Sequence, residues 1–292
     1  MTSQEWNDLC ARSPVLLDGA WGSQLQQRGL PPGHAPESWN LSHPSDVQSI
    51  GEAYVRAGAQ IILTNTFGAS RIMLERHHLA DRTTEINRIG AELSRQAAGN
   101  RALVFGSVGP TGKLLMMGEG TADELSTAFE EQARALKEGG VDGLVIETMS
   151  DLEEAVLATK AAAATGLPVV ACMVYDSGPD HAHTMMGITP EQAAEALEKA
   201  GAWAVGANCG RGPADFYPVC NTFRAATSLP LWMKPNAGMP EMEDGKAVYR
   251  MTAQEFAAAA RRLWEEAGAT FIGGCCGTDP AFIEALRVKS TA

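Results

Sequence analysis

Three cysteines stand where two short apolar segments of this 292-residue chain end. Cys275 and Cys276 are adjacent in the segment Phe271-Ile-Gly-Gly-Cys-Cys-Gly-Thr278, and Cys209 closes the segment Ala204-Val-Gly-Ala-Asn-Cys-Gly210. Three protein ligands leave the fourth tetrahedral position of Zn²⁺ open, which is the arrangement of catalytic zinc sites. The residue types and their spacing therefore predict a catalytic Zn²⁺ site formed by Cys209, Cys275 and Cys276.

The adjacent pair sets a geometric condition on the backbone. Consecutive side chains of an extended strand point to opposite faces, so both sulfurs reach one metal only where the strand ends or bends. Gly273, Gly274 and Gly277 provide that conformational freedom. Two alternatives stay open for the pair, a vicinal disulfide or two buried and unreactive cysteines. A rival metal site is offered by the segment Asp180-His181-Ala-His183.

A zinc ion with three thiolate ligands is formally anionic, which makes it a poor Lewis acid for activating water. Such a site favours a soft fourth ligand, and a substrate thiol bound there loses its proton at neutral pH because the metal stabilises the thiolate. The ligand set therefore indicates alkyl transfer to sulfur and disfavours hydrolysis.

The elements that position these cysteines alternate between short apolar runs and longer amphipathic segments, a pattern typical of a parallel sheet covered by helices. Eight strands are predicted, the number that closes a (β/α)8 TIM barrel. The predicted strands are Val15–Leu17, Gln60–Leu63, Ala102–Phe105, Gly143–Ile146, Pro168–Met173, Trp203–Gly206, Leu231–Met233 and Thr270–Ile272. The predicted helices are Ser45–Ala57, Thr83–Ala97, Ala122–Lys137, Asp151–Thr165, Pro190–Ala200 and Ala253–Ala267.

The boundaries of these elements carry local signals. Glycine follows alanine at three helix-to-strand junctions, Ala57-Gly, Ala200-Gly and Ala267-Gly, where it provides a left-handed turn. Thr189 precedes Pro190 and Glu191, as expected for a helix cap with a first-turn proline, and Thr252 precedes Glu255 at the spacing of a capping box. Because no linker divides the chain, we predict one domain spanning residues 1–292, with a long proline-rich first loop, Arg28–Pro44, over one barrel mouth.

Polar residues follow seven of the predicted strands at their carboxyl ends, the face on which TIM barrels build active sites. The sequence therefore predicts that these side chains converge at one mouth, although polar residues are common in any loop. They are Asp18, Asn65, Ser107, Glu147, Cys209, Asn236 and Cys275.

Composition argues against several other classes of protein. The formal net charge is −12, so no basic excess is present to hold nucleic acid. The longest apolar stretch, Ala161–Tyr175, is interrupted by Gly166 and Pro168 and is shorter than the roughly 20 residues of a membrane span. The N-terminus lacks the features of a secretory signal. We therefore expect a cytoplasmic protein with reduced thiols, in which clustered cysteines favour metal binding over disulfides.

Over nearly its full length the chain resembles the homocysteine S-methyltransferase family, which includes the homocysteine-binding module of cobalamin-dependent methionine synthase and betaine–homocysteine methyltransferase. The resemblance implies that Cys209, Cys275 and Cys276 bind zinc, and that Asp18, the Gly19 backbone, the region of Ser107, and Glu147 bind homocysteine. The matching segments are Leu17-Asp-Gly-Ala-Trp-Gly22, Thr64-Asn-Thr-Phe67, Gly106-Ser-Val-Gly-Pro-Thr111, Ile146-Glu-Thr148, Asn208-Cys209, Pro235-Asn-Ala-Gly238 and Gly273-Gly-Cys-Cys-Gly-Thr278.

Physical reasoning agrees with that assignment. The ammonium group of an amino-acid substrate needs a carboxylate partner, and Glu147 or Asp18 is suitable. The substrate carboxylate needs donors, for which the backbone amides around Gly19 and Gly106 are candidates. Asn65, at the end of the second strand, is a further candidate substrate-binding residue. For the two acids, a helix cap or an ion pair is the alternative.

The predicted function is a zinc-dependent S-methyltransferase that activates homocysteine as a zinc-bound thiolate and methylates it to methionine. The folate and corrinoid modules that follow this barrel in methionine synthase are missing from the sequence, so an external methyl donor is expected. The segments around Asn65 and Asn236 are more similar to methionine synthase than to the betaine enzyme, which favours methylcobalamin on a separate corrinoid protein.

Other functions stay open. S-methylmethionine or betaine is the alternative donor, with Trp21 and Trp39 as candidate contacts for a cation. A Schiff-base enzyme using Lys234, at the end of the seventh strand, and a non-catalytic thiol-binding protein are alternatives of other classes.

Overall fold

The computed structural model describes residues 1–243 and 246–287, and its centre is a ring of eight parallel strands. The TIM barrel and all eight predicted strands are confirmed. The barrel strands are β1 (Val15–Leu16), β2 (Ile61–Leu63), β3 (Leu103–Val108), β4 (Gly143–Met149), β5 (Val169–Met173), β6 (Ala204–Cys209), β7 (Leu231–Pro235) and β10 (Phe271–Ile272). An antiparallel hairpin, β8 (Glu241–Glu243) and β9 (Lys246–Val248), follows β7.

Each barrel strand pairs with its neighbours along the chain. The hydrogen-bonded order runs β1, β10, β7, β6, β5, β4, β3, β2. Leu17 forms an isolated parallel bridge with Ile61, and the Gln60 amide donates to the Leu16 carbonyl at 2.7 Å. These contacts join β1 to β2 and bring the two ends of the sheet together.

Helices surround the ring, and the six predicted ones are confirmed as α4, α6, α7, α8, α9 and α11. The helices are α1 (Ser3–Cys10), α2 (Gly22–Gln27), α3 (Trp39–Ser42), α4 (Pro44–Ala57), α5 (Arg71–Glu75), α6 (Thr83–Ala98), α7 (Ala122–Glu138), α8 (Leu152–Ala163), α9 (Pro190–Lys199), α10 (Pro213–Ala226), α11 (Ala253–Glu265) and α12 (Pro280–Arg287). The predicted first loop contains a 3₁₀ turn, Pro36–Ser38, and helix α3. No helix in the described part of the chain is long and apolar enough to cross a membrane.

Local sequence signals explain several of these boundaries. Thr252 forms the predicted capping box with Glu255 at the start of α11. Thr189 caps α9 as predicted, and its capping box is completed by Gln192. Gly58, Gly201 and Gly268 have φ angles of 108°, 102° and 76° at the three predicted junctions. These values lie in the left-handed region, which glycine adopts without steric cost.

The side chains of the barrel strands alternate between two environments, because successive residues of a strand face opposite sides. On β7, Leu231 and Met233 pack in the layer between strands and helices, whereas Trp232 packs inside the barrel. An aromatic plug fills the interior and is formed by Trp6, Phe105, Trp232 and Phe271. The centroids of its neighbouring rings lie 5.2–6.4 Å apart, and Trp6 of α1 packs against Phe105 and Phe271.

Polar residues occupy the inward positions nearer the carboxyl ends of four strands. Ser107 on β3, Glu147 on β4, Asn208 on β6 and Lys234 on β7 are all buried. Ser107, Glu147 and Lys234 each stand two residues beyond an inward apolar residue, and Asn208 stands four beyond inward Ala204. These four residues, called here the polar layer, therefore lie between the apolar interior and the carboxyl mouth.

Candidate active site

A cavity of about 690 Å³ opens at the carboxyl ends of the strands. The three cysteines of the predicted metal site line it together with Ser107, Glu147 and Lys234 of the polar layer. Pro36 and Glu37 of the first loop line its rim, as predicted for a loop over one barrel mouth.

The three cysteine sulfurs are grouped within this cavity. The Sγ atoms of Cys209 and Cys276 lie 3.9 Å apart, and all three Sγ atoms lie within 4.8 Å of one another. A tetrahedral zinc with metal–sulfur distances of about 2.3 Å holds its sulfurs about 3.8 Å apart. The cluster therefore has the dimensions of a three-cysteine zinc site. Within residues 1–243 and 246–287 no other His, Cys, Asp and Glu side chains form such a group, so Asp180, His181 and His183 do not.

The backbone around the cysteines explains how adjacent residues share one site. Strand β10 ends at Ile272, before the cysteine pair, as the geometric condition required. The Cys275 amide donates to the Pro235 carbonyl at 2.8 Å, and the Ala237 amide donates to the Cys276 carbonyl at 2.9 Å. The end of β7 therefore holds the pair in a turn.

Two further features fix the turn and its partner cysteine. The Thr278 hydroxyl donates to the Cys275 carbonyl at 2.7 Å, and Gly277 has a φ of 80°. Cys209 itself has a φ of 63°, which is uncommon outside glycine. The Asn236 side-chain amide donates to the Gly210 carbonyl at 2.9 Å and so ties the loop after Cys209 to the segment that holds the pair.

Proximity and burial make these thiols hard to ionise without a cation. For Cys209 and Cys276, a hydrogen bond with one neighbouring thiol lowers the pKa, but a hydrogen bond with the other thiol, burial and charge repulsion together outweigh it and raise the pKa to about 12. For Cys275, the hydrogen bond with Cys209 and burial raise the pKa further. Negative charges on neighbouring sulfurs repel one another in a poorly solvated site. A bound metal cation supplies the charge that three adjacent thiolates require.

Glu147 is the buried carboxylate of the polar layer. Ser107 Oγ donates a short hydrogen bond to Glu147 Oε1, and the Asn208 amide lies 3.4 Å from Oε2. Burial raises the pKa of Glu147, while the charge of Lys234 and the Ser107 hydrogen bond lower it. The predicted residues Ser107 and Glu147 thus meet as one hydrogen-bonded pair at the cavity.

Asn208 was not among the predicted site residues, although it occupies a central position. Its amide nitrogen lies 2.6 Å from Thr148 Oγ1 and 4.0 Å from Cys275 Sγ, and its Oδ1 accepts from the Thr148 amide at 2.7 Å. It therefore links the Glu147 carboxylate to the cysteine cluster. The signal that could have found it is the alternation along β6, which places Asn208 on the inward side with Ala204.

Asp18 lies deeper than Glu147 and is fully buried. Lys234 Nζ donates to its Oδ1 at 2.5 Å. The Trp21 indole and the Leu63 amide both donate to its Oδ2 at 2.7 Å. Both oxygens of Asp18 therefore have protein partners, as the ion-pair alternative anticipated, whereas Glu147 lines the cavity.

The other two predicted substrate-binding residues lie at the rim. A Cβ added at Gly19 would lie 2.7 Å from Thr278 Oγ1 and 2.9 Å from the Tyr54 hydroxyl, so glycine is required at this close approach. The Asn65 amide donates to the Pro36 carbonyl at 2.8 Å and to Asn40 Oδ1 at 2.9 Å. Asn65 therefore ties the first loop to the end of β2.

Apolar side chains complete the mouth. Trp21, Phe67 and Tyr249 line the cavity, whereas Trp39 is buried and stacks on His43 with ring centroids 4.2 Å apart. Trp39 is therefore not a wall of the cavity. Among the described residues, five exposed methionines lie on the segments that follow β3, β5 and β7 on the same face of the barrel, Met242 on the hairpin strand β8. They are Met116, Met117, Met185, Met239 and Met242.

Comparison with known proteins identifies what this chain is similar to. It is 30% identical to methionine synthase of Mycobacterium tuberculosis, in an alignment that covers 94% of this chain and 24% of that protein. It is also 30% identical to betaine–homocysteine S-methyltransferase 1 of Bos taurus, in an alignment that covers 93% of this chain and 71% of that protein. The chain thus spans about a quarter of the length of the methionine synthase.

Solved structures give the same fold. The metallated form of the Escherichia coli homocysteine methyltransferase MmuM superposes with a TM-score of 0.80 at 24% identity, covering 96% of this chain and 98% of that one. Residues 15–289 match the profile of homocysteine S-methyltransferases. The chain belongs to the homocysteine S-methyltransferase family.

Proposed function

We propose that this protein transfers a methyl group to the sulfur of homocysteine and forms methionine, using a zinc ion held by Cys209, Cys275 and Cys276. The observation that carries the proposal is the grouping of three thiols beside the Glu147 carboxylate at the carboxyl mouth of a barrel of this family.

The residues suit the metal because three soft sulfur donors lie at tetrahedral spacing and the turn around them is fixed by hydrogen bonds. Zinc bound there would lower the pKa of a thiol in the fourth position and make it nucleophilic at neutral pH.

The surrounding residues orient the substrate. Glu147 accepts the substrate ammonium group, and Ser107 and Asn208 hold that carboxylate in place. Because Asn208 also contacts Cys275, one hydrogen-bonded unit sets the distance between the ammonium subsite and the sulfur subsite. The thiol proton passes to solvent on binding. A sulfur–carbon bond then forms as the bond between the methyl group and its donor breaks.

The favoured donor is methylcobalamin on a separate corrinoid protein. The five exposed methionines around the mouth support a macromolecular partner, because flexible thioether side chains are suited to adaptable protein contacts. The similarity to methionine synthase agrees with this choice.

A small cationic donor, S-methylmethionine or betaine, is the second candidate. The observation in its favour is that Trp21, Phe67 and Tyr249 line the cavity, because aromatic faces attract ammonium and sulfonium groups.

The test is to incubate the purified protein with homocysteine and, in turn, methylcobalamin, S-methylmethionine, betaine and methyl-folate, and to measure methionine and bound zinc. We expect bound zinc and methionine from at least one donor. Protein that lacks zinc contradicts the proposal. Homocysteine binding without methionine from any donor indicates a non-catalytic thiol-binding protein.

A Met116→Ser/Met117→Ser variant distinguishes between the two classes of donor. It should raise KM for a corrinoid protein and leave KM for small donors unchanged.

A further inference from the structure

Lys234 is a buried cation at the cavity whose hydrogen-bonding capacity is only partly used by the protein. Its side chain is 2% exposed and lines the cavity. An ammonium group has three N–H donors. Among residues 1–243 and 246–287, Asp18 Oδ1 is the one acceptor within hydrogen-bonding distance of Nζ. Two donors of a buried ammonium group therefore remain for a molecule that enters the cavity.

The charge of Lys234 is stabilised by its surroundings. Burial opposes the charged form, but the carboxylates of Asp18 and Glu147 outweigh it and raise the pKa of Lys234. A protonated amine is not a nucleophile, so this environment does not favour the Schiff-base alternative. A buried ammonium group with unused N–H donors instead favours binding of an anion, whose lone pairs accept hydrogen bonds.

Lys234 and Glu147 together match the head group of an α-amino acid. Both belong to the polar layer, both line the cavity, and each is close enough to shift the pKa of the other. An α-amino acid carries its ammonium and carboxylate groups on one carbon, so it needs a cation and an anion side by side. Asp18 neutralises part of the Lys234 charge but is covered, which leaves the cationic donors accessible from the cavity.

The alternative donors expected from sequence are the backbone amides around Gly106 and Gly19, which carry no charge. A Cβ added at Gly106 would lie within 3 Å of Leu136 and Leu144 side-chain atoms, so that residue faces the helix layer. Gly19 lines the cavity but offers only an uncharged backbone amide. Neither glycine adds a charge to the site, whereas Lys234 does.

We propose that Lys234 forms the carboxylate subsite of the substrate pocket, held in position by Asp18, and that it selects thiols bearing a carboxylate next to the ammonium group. The inference deepens the proposed function, since it rests on an amino-acid thiol as substrate. It assigns a role to Asp18 as a positioning residue for Lys234.

Three ligands isolate the two charged groups. Homocysteine has both, 3-aminopropane-1-thiol lacks the carboxylate, and 4-sulfanylbutanoate lacks the ammonium group. Binding is measured by calorimetry on the protein as purified, without a methyl donor. The parent protein should bind homocysteine more tightly than 3-aminopropane-1-thiol. Equal affinity for these two ligands overturns the proposal without any variant.

Lys234→Met should weaken binding of homocysteine and 4-sulfanylbutanoate about 10- to 100-fold, as expected for a lost charge-assisted hydrogen bond. Binding of 3-aminopropane-1-thiol should change little. Lys199→Met, on the exposed face of α9, is the matched control and should change none of the three affinities. Lys234→Arg keeps the charge and should retain most of the preference.

Removing Lys234 alone leaves Asp18 buried without its cation, which threatens folding. The Asp18→Asn/Lys234→Met variant removes both charges and keeps a side-chain oxygen for Trp21 and Leu63. It should fold by circular dichroism and lose the preference for homocysteine. A folded double variant that keeps the preference of the parent overturns the proposal.

Failure of the inference differs from failure of the proposed function. If the parent makes methionine and the variants still prefer homocysteine, only the carboxylate subsite is wrong. If the parent prefers 4-sulfanylbutanoate to 3-aminopropane-1-thiol but makes no methionine, the subsite stands and the proposed reaction is wrong.

Discussion

Strand β3 carries two inward residues that belong to different regions of the barrel. Phe105 lies in the aromatic plug between Trp6 and Trp232, with ring centroids 6.4 Å and 6.0 Å away. Ser107 lies in the polar layer and donates to Glu147. The two residues are separated by one position that faces the helices, so a single strand contributes both to the core and to the site.

The plug and the polar layer differ in how they are stabilised. Phe105 is fully buried against other rings, and burial of apolar surface favours folding without directional contacts. Polar groups buried above the plug require partners, and the structure pairs Asp18 with Lys234 and Glu147 with Ser107 and Asn208. The plug therefore supports the fold, while the layer above it is free to specialise in binding.

The largest expected effect separates metal binding from folding. Cys276→Ala removes one of the three proposed metal ligands and should abolish both metal binding and methyl transfer, while the fold persists because a barrel of this size has its own core. Elemental analysis, methionine formation and circular dichroism are the measurements. Cys10→Ala, in helix α1 away from the cavity, is the control and should retain metal and activity. Retention of metal and activity by Cys276→Ala would contradict the assigned site.

The next effect acts on the plug. Phe105→Ala leaves a cavity among Trp6 and Trp232 and should lower the free energy of unfolding by about 3–5 kcal/mol. Denaturant titration measures the loss. The folded fraction should bind metal with the stoichiometry of the parent protein, because no cysteine of the site is changed. A loss of metal from protein that is still folded would show that the plug and the site are not separable.

A smaller effect is expected at Ser107, two residues after Phe105 on β3. Ser107→Ala removes a hydrogen bond to the Glu147 carboxylate and should weaken homocysteine binding about tenfold, with little change in stability. The hydrogen bond lowers the pKa of Glu147, so its loss should raise that pKa. Because the ionised carboxylate is proposed to bind the substrate ammonium, the acidic limb of the pH–activity profile should move to higher pH. An unchanged limb would place Glu147 outside the substrate site.

The sequence predicted the barrel strands and the cysteine cluster better than the polar layer. Strands ending in glycine-rich turns locate Cys209, Cys275 and Cys276 at one mouth, because carboxyl ends of parallel strands share a face. The ion pair of Lys234 with Asp18 joins residues 216 positions apart and exists only because β10 pairs with both β7 and β1. The role of Asn208 in linking Glu147 to Cys275 depends on three strands at once. Such contacts need the register of the whole barrel.

The smallest effect concerns Glu37 in the first loop, which resembles the polar layer in being a buried carboxylate. Its Oε1 accepts from the Gly68 amide at 2.6 Å, and burial raises its pKa. A raised folded-state pKa means that the protonated form favours folding below the unfolded pKa, and that this contribution is lost as pH rises through the folded pKa.

Glu37→Gln keeps an acceptor for Gly68 and removes the ionisation. The variant should therefore gain stability relative to the parent as the pH rises above the unfolded-state pKa of a glutamate, about 4.3, because the parent must then ionise a buried group. Denaturant titrations at several pH values measure the difference, with exposed Glu284→Gln as the control. A difference that stays constant with pH would mean that Glu37 is solvated as well in the folded chain as in the unfolded one. The expected slope would place the pH sensitivity of this barrel in its carboxyl mouth, since the aromatic plug has no group that titrates.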